Sequence, residues 1–177
     1  MRSNVPSCPA HACVSSDAIG VDNLPLPERV LLWAIRSWSA YHCDLTAIRS
    51  SLERVFTEAG MSGASPSFDR MMTALFAGLR RWPDVRCVRC PRLGADESRL
   101  LGACGHLQRG EEGSARRLLH EWVVRPAVRT ACEHAAEFVG FASAAGLQFQ
   151  APRRSISTCG MPSSRNVSEM VWKPNSP

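Results

Sequence analysis

Between Phe68 and Leu79 the apolar residues Phe68, Met71, Met72, Leu75, Phe76 and Leu79 stand at offsets of three, four, seven, eight and eleven from the first. That spacing places all six on one face of an α-helix and matches no two-residue strand alternation. A helix with such a stripe must bury it against another element, so the pattern asks for a bundle.

The rest of the chain answers in kind. Pro25, Pro27 and Glu28 open a first helix carrying Leu31, Ile35 and Trp38, flanked by Val30, Ala34 and Tyr41, with its end near Tyr41 to Cys43. Asp44 or Thr46 caps a second, in which Leu45, Ile48, Leu52, Val55, Phe56 and Ala59 keep the period up to Gly60. Ser65 and Pro66 supply the cap and first-turn proline of the third. Asp96, Glu97 and Ser98 precede Leu100, Leu101, Cys104 and Leu107, setting a fourth helix from near Asp96 to Gly110, its acidic residues at the positive end of the dipole. After an RGEEGS turn, Ala115, Leu118, Leu119, Trp122 and Val123 form a fifth, antiparallel to the fourth. Pro126 opens a sixth, with Val128, Ala131, Cys132, Ala135, Val139 and Ala142 inward and Gly146 at its stop.

The expected fold is therefore all-α, an irregular bundle of five to six helices, in a single helical domain over residues 24–149. The connector at 82–95 joins two three-helix halves and runs outside them. Residues 1–23 and the Ser/Pro/Arg-rich stretch 150–177 show no period and are expected to be disordered. A chain of 177 residues that is 45% hydrophobic can bury one core without metal or disulfide staples. No apolar run approaches the about 18 residues of a spanning helix, and the first residues lack the apolar block of a secretory signal. The expectation is a cytoplasmic protein with no membrane partner, its eight cysteines held as thiols or metal ligands.

Charge is concentrated rather than general. Arg80, Arg81, Arg86, Arg89 and Arg92 lie between Leu79 and Leu93 against Asp84, and a second basic stretch follows Gln150. Arg86, Arg89 and Arg92 recur every third residue, so an extended connector could aim them together at carboxylates or phosphates. The connector also carries Cys87 and Cys90, whose two-residue separation suits one tetrahedral zinc; Cys104 and His106 are the nearest candidates to complete the site. Residues two apart on a helix diverge by about 200°, which counts against that completion. Redox catalysis at the same pair wants its first cysteine at a helix N-terminus after a strand, and Pro91 follows at once.

His42-Cys43-Asp44 are adjacent and do not converge as a triad, His134 and Glu137 reverse the order of a di-metal motif, and no phosphate-binding loop occurs. The reading is a small non-enzymatic binding or regulatory module that engages a partner, expected to be a protein, through the arginine-rich connector. Zinc or cluster binding at Cys87 and Cys90 is the alternative. Nucleic-acid binding stands third, resting on charge without interleaved aromatics for base stacking.

Overall fold

In the computed structural model, residues 20–41 and 46–150 are described, and they form six α-helices. These are α1 (Leu26–Ala40), α2 (Thr46–Glu58), α3 (Ser65–Ala77), α4 (Ala95–Gln108), α5 (Glu112–His120) and α6 (Arg125–Ala144). The chain is all-α; among the described residues extended pairing is confined to two isolated bridges, Gly20 with Arg92 and Leu79 with Val123. No helix among these residues is long and apolar enough to cross a membrane.

Proline and glycine punctuate the helices much as their chemistry demands. Pro66 and Pro126 occupy first-turn positions, where the missing N–H has no intrahelical partner to lose. Gly60 and Gly146 end helical segments with φ of 81° and 74°, left-handed values that cost other residues a Cβ clash. Ser65 is not the cap of α3: it is the first helical residue, Ala64 precedes it, and Ser67 Oγ donates to the Ala64 carbonyl. Trp122 and Val123, expected within the fifth helix, lie beyond its end. There the Trp122 carbonyl accepts from Arg80 N and Val124 N donates to the Gly78 carbonyl, so pairing with residues 78–80 replaces another helical turn. Leu79, expected on the stripe of the third helix, accordingly lies past the end of α3 and bridges to Val123.

One core serves all six helices rather than two halves. α3 packs most extensively on α6, α4 lies against α5, α6 and α1, and the buried apolar residues form a single cluster. At its centre Phe56, Phe68 and Phe138 meet with ring centroids 5.3 to 5.6 Å apart. Phe149 closes that end, stacked on Phe138 at 6.4 Å. The segment bearing it is strapped down by Gln108, which donates to the Leu147 carbonyl and accepts from Phe149 N.

The expected disordered ends lie for the most part outside the described residues. Of the first 23 residues, 20–23 are structured: Val21–Asn23 form a 3-10 turn and Val21 N donates to the Pro91 carbonyl at 2.9 Å. His42, Cys43, Asp44 and Leu45, with the cap assigned to Asp44, also fall outside the described residues.

Candidate functional site: the braced connector between α3 and α4

The connector between α3 and α4 does not hang outside the bundle. Pro83, Cys90, Leu93 and Gly94 are buried, and a network of charges holds the chain that links them. Its centre is Arg36 of α1, which the apolar stripe reading passed over. Arg36 Nε and Nη2 donate to the two carboxylate oxygens of Glu97 at 2.7 and 2.9 Å. The same guanidinium gives Nη1 to the Cys90 carbonyl and Nη2 to the Arg92 carbonyl, each at 2.7 Å. Glu97 in turn accepts from Arg86 N at 2.9 Å and from Gly94 N at 2.6 Å. Arg36 and Glu97 are 2% and 0% exposed, so neither charge has water to fall back on.

A second carboxylate braces the start of the connector. Asp96 takes Arg81 in a two-pronged pair at 2.7 and 2.8 Å, Arg99 at 2.9 Å and Asp84 N at 2.7 Å. Burial works against the ionised form of Asp96, yet the Arg81 hydrogen bonds, the Asp84 N–H and the nearby guanidinium charges outweigh it and hold its pKa below the ordinary value. Asp96 and Glu97 sit in the first turn of α4, as the dipole argument expects. They also do more, by fastening a loop to the bundle.

The five connector arginines consequently separate. Arg81 is committed to Asp96, and Arg86 pairs with Asp84 at 3.0 Å. Arg92 is half-buried, and its carbonyl is held by Arg36. Arg80 and Arg89 are exposed and form no ion pair or hydrogen bond through their side chains with the described residues. The expected three-residue row of Arg86, Arg89 and Arg92 is interrupted by a turn at Val88 and Arg89, closed by Cys90 N donating to the Cys87 carbonyl at 3.0 Å. Beside these arginines Trp82 is 72% exposed, its ring edge-on to Phe76 at 6.2 Å, and Phe76 meets the buried Trp38 at 4.9 Å. An aromatic chain thus runs from the core to the surface at the connector.

The cysteines and histidine named for zinc are not gathered together. Among the described residues no group of three or more His, Cys, Asp or Glu side chains is placed to hold a metal ion. Cys104 lies inside the bundle, where burial pushes its thiol up to about 12; Cys132 of α6 is pushed up to about 11 for the same reason. His106 faces the α4–α5 turn, with Nδ1 2.6 Å from Glu111 Oε2 and 3.0 Å from Arg109 Nη2.

Sequence reasoning missed Arg36, Glu97 as its partner, and Trp82 as an exposed aromatic. A signal for Arg36 existed: Glu28, Leu32 and Arg36 recur at a spacing of four and share one face of α1. Nothing local pointed to Glu97, which is 61 positions away. Comparisons with protein-family models, curated proteins and solved structures give no match for this chain.

Proposed function

We propose that this protein is a small cytoplasmic helical binding module, with no reaction of its own, that docks an acidic segment of a partner protein on the connector between α3 and α4. The observation that carries the reading is Trp82, 72% exposed on a connector whose backbone is fastened at both ends. Its broad aromatic face is presented on a braced support, and Trp and Arg are the residue types that dominate interface energetics. Because the Arg36–Glu97 and Arg81–Asp96 pairs already fix the loop, a ligand would lose little additional conformational entropy on ordering it. Arg80 and Arg89, not committed to carboxylates of the bundle, supply the positive charge that favours Asp- and Glu-rich sequences.

Peptide display against the immobilised chain tests this. Selected peptides are expected to combine acidic residues with an apolar side chain. Trp82→Ala with Arg80→Glu and Arg89→Glu is expected to abolish their binding while the thermal midpoint changes little, since all three side chains are exposed. Binding unaffected by the triple variant, or a preference for basic peptides, would reject the site. Preferential capture of single-stranded nucleic acid with steep salt dependence would reject the protein partner.

A further inference from the structure

We infer that Cys87 and Cys90 are a redox modification site: a dithiol that closes reversibly to an intramolecular disulfide across the connector turn. The two residues are the ends of a four-residue turn, with Cys90 N donating to the Cys87 carbonyl at 3.0 Å. Such a turn brings its terminal Cα atoms within about 7 Å, and a disulfide requires about 4.4–6.8 Å, so the backbone spacing suits closure once the exposed Cys87 side chain turns toward the buried Cys90.

The turn is also held from both sides by one ion pair. Glu97 accepts the N–H of Arg86, the residue before Cys87, and Arg36 donates to the carbonyl of Cys90 itself. On the far side the Pro91 carbonyl accepts from Val21 N. The arms therefore do not have to be brought together by a chance loop closure, as they would in an unfolded chain. Cys87 is exposed and Cys90 buried, which gives the pair an entry thiol and a resolving thiol. Cys104 and Cys132 offer no competing site, because burial keeps both protonated and out of reach.

The co-reactant is a low-molecular-weight disulfide such as oxidised glutathione. The Cys87 thiolate attacks one of its sulfurs, forming a mixed disulfide and releasing one thiol. The Cys90 thiolate then attacks Cys87 Sγ, forming the intramolecular S–S bond and expelling the second thiol. The protein dithiol is oxidised by two electrons, the small disulfide is reduced to two thiols, and the two cysteine protons end on those thiols. The closed ring contains Val88 and Arg89, so oxidation locks the tip of the connector. This site rests on the turn and its clamps, whatever the connector binds.

The full chain is equilibrated in glutathione buffers of graded oxidation, quenched with acid, alkylated and digested with trypsin without reduction. Cleavage after Arg86, Arg89 and Arg92 would release Cys87-Val88-Arg89 and Cys90-Pro91-Arg92 joined by their disulfide. The linked pair is expected at a lower oxidised-to-reduced ratio in the folded chain than in urea. In Cys90→Ser, Cys87 is expected to accumulate as the glutathione mixed disulfide instead. A linked pair that forms no more readily when folded than when unfolded, Cys87 carrying only glutathione in the wild type, or Cys87 joined to any other cysteine would overturn the inference.

Discussion

Arg36 and Glu97 differ from an isolated buried ion pair in what each does for the backbone. A guanidinium and a carboxylate that satisfied only one another could be replaced together by apolar residues at little cost, and sometimes with a gain. Here Arg36 also satisfies the carbonyls of Cys90 and Arg92, and Glu97 the amides of Arg86 and Gly94. Arg36→Met is expected to cost about 3–5 kcal/mol by leaving Glu97 charged in the interior. The double variant Arg36→Met with Glu97→Met is expected to stay near the single, because four backbone groups then lose their partners. Urea midpoints across the cycle decide it; a double variant near wild type would mean that the pair serves only itself. Glu28 presents the reverse electrostatics. It is fully buried, accepts from Gln150 N through Oε1, and has no hydrogen-bond partner for Oε2 among the described residues. Burial raises its pKa above 4.5 despite hydrogen bonds that lower it. The folded state therefore holds this proton more tightly than the unfolded chain, and the site's contribution to stability falls as pH rises from 4.5 through the raised value. Glu28→Gln is expected to melt above wild type at pH 8, with the gap closing below pH 4.5; a gap independent of pH would refute the assignment.

Among the elements, α4 is the one whose start was fixed by something other than its own periodicity. Gly94 precedes it, and a Cβ there would meet the Asp84 carbonyl oxygen at 2.2 Å, which is backbone and cannot swing aside as a side chain could. Gly94→Ala is expected to destabilise by about 1–3 kcal/mol by prising the connector from α4. Gly113 in α5 is the control: a Cβ there meets nothing nearer than Arg117 Nη1 at 3.9 Å, and Gly113→Ala is expected to stabilise by about 0.4–1 kcal/mol. Thermal melts of the two variants should move in opposite directions; a shared sign would undo the contrast. The same elements show why some of the fold was legible and some was not. α3 and α6 were readable because the stripe and first-turn proline, and in α6 the terminal Gly146, are all local signals, and each bears on only a few neighbouring residues. The end of α5 was misread because Trp122 and Val123 satisfy the helical period but are claimed by the residues just past α3 through the Leu79–Val123 bridge. The connector was read as an external bend for the same kind of reason. Its arginines and cysteines are visible in sequence, whereas the side chain that draws it inward belongs to α1. Of the candidate site, the location was legible; the division of its arginines into braced and exposed was not.

At the scale of the whole molecule, the question is whether a connector joining three helices to three others separates two folding units. The packing argues against it. α3 and α6, from opposite sides of the connector, form the most extensive pair, and Phe138 of α6 lies against both Phe56 of α2 and Phe68 of α3. Arg36 of α1 and Glu97 of α4 join the two sides a second time, at the connector itself. Phe138 is wholly buried, so its truncation removes ring contacts from helices of both groups at once. Phe138→Ala is expected to cost about 3–5 kcal/mol. The decisive reading is where that loss falls. In native-state hydrogen exchange, the most protected amides of α2, α3 and α6 exchange through global opening if the bundle is one cooperative unit, and then all must lose the same free energy. Equal losses on the two sides of the connector are therefore expected, although the substituted residue lies on only one. Protection that falls in α4 to α6 while α1 to α3 keep theirs would show that the halves open independently. The ion-paired connector would then be a hinge between two units rather than a strap across one core.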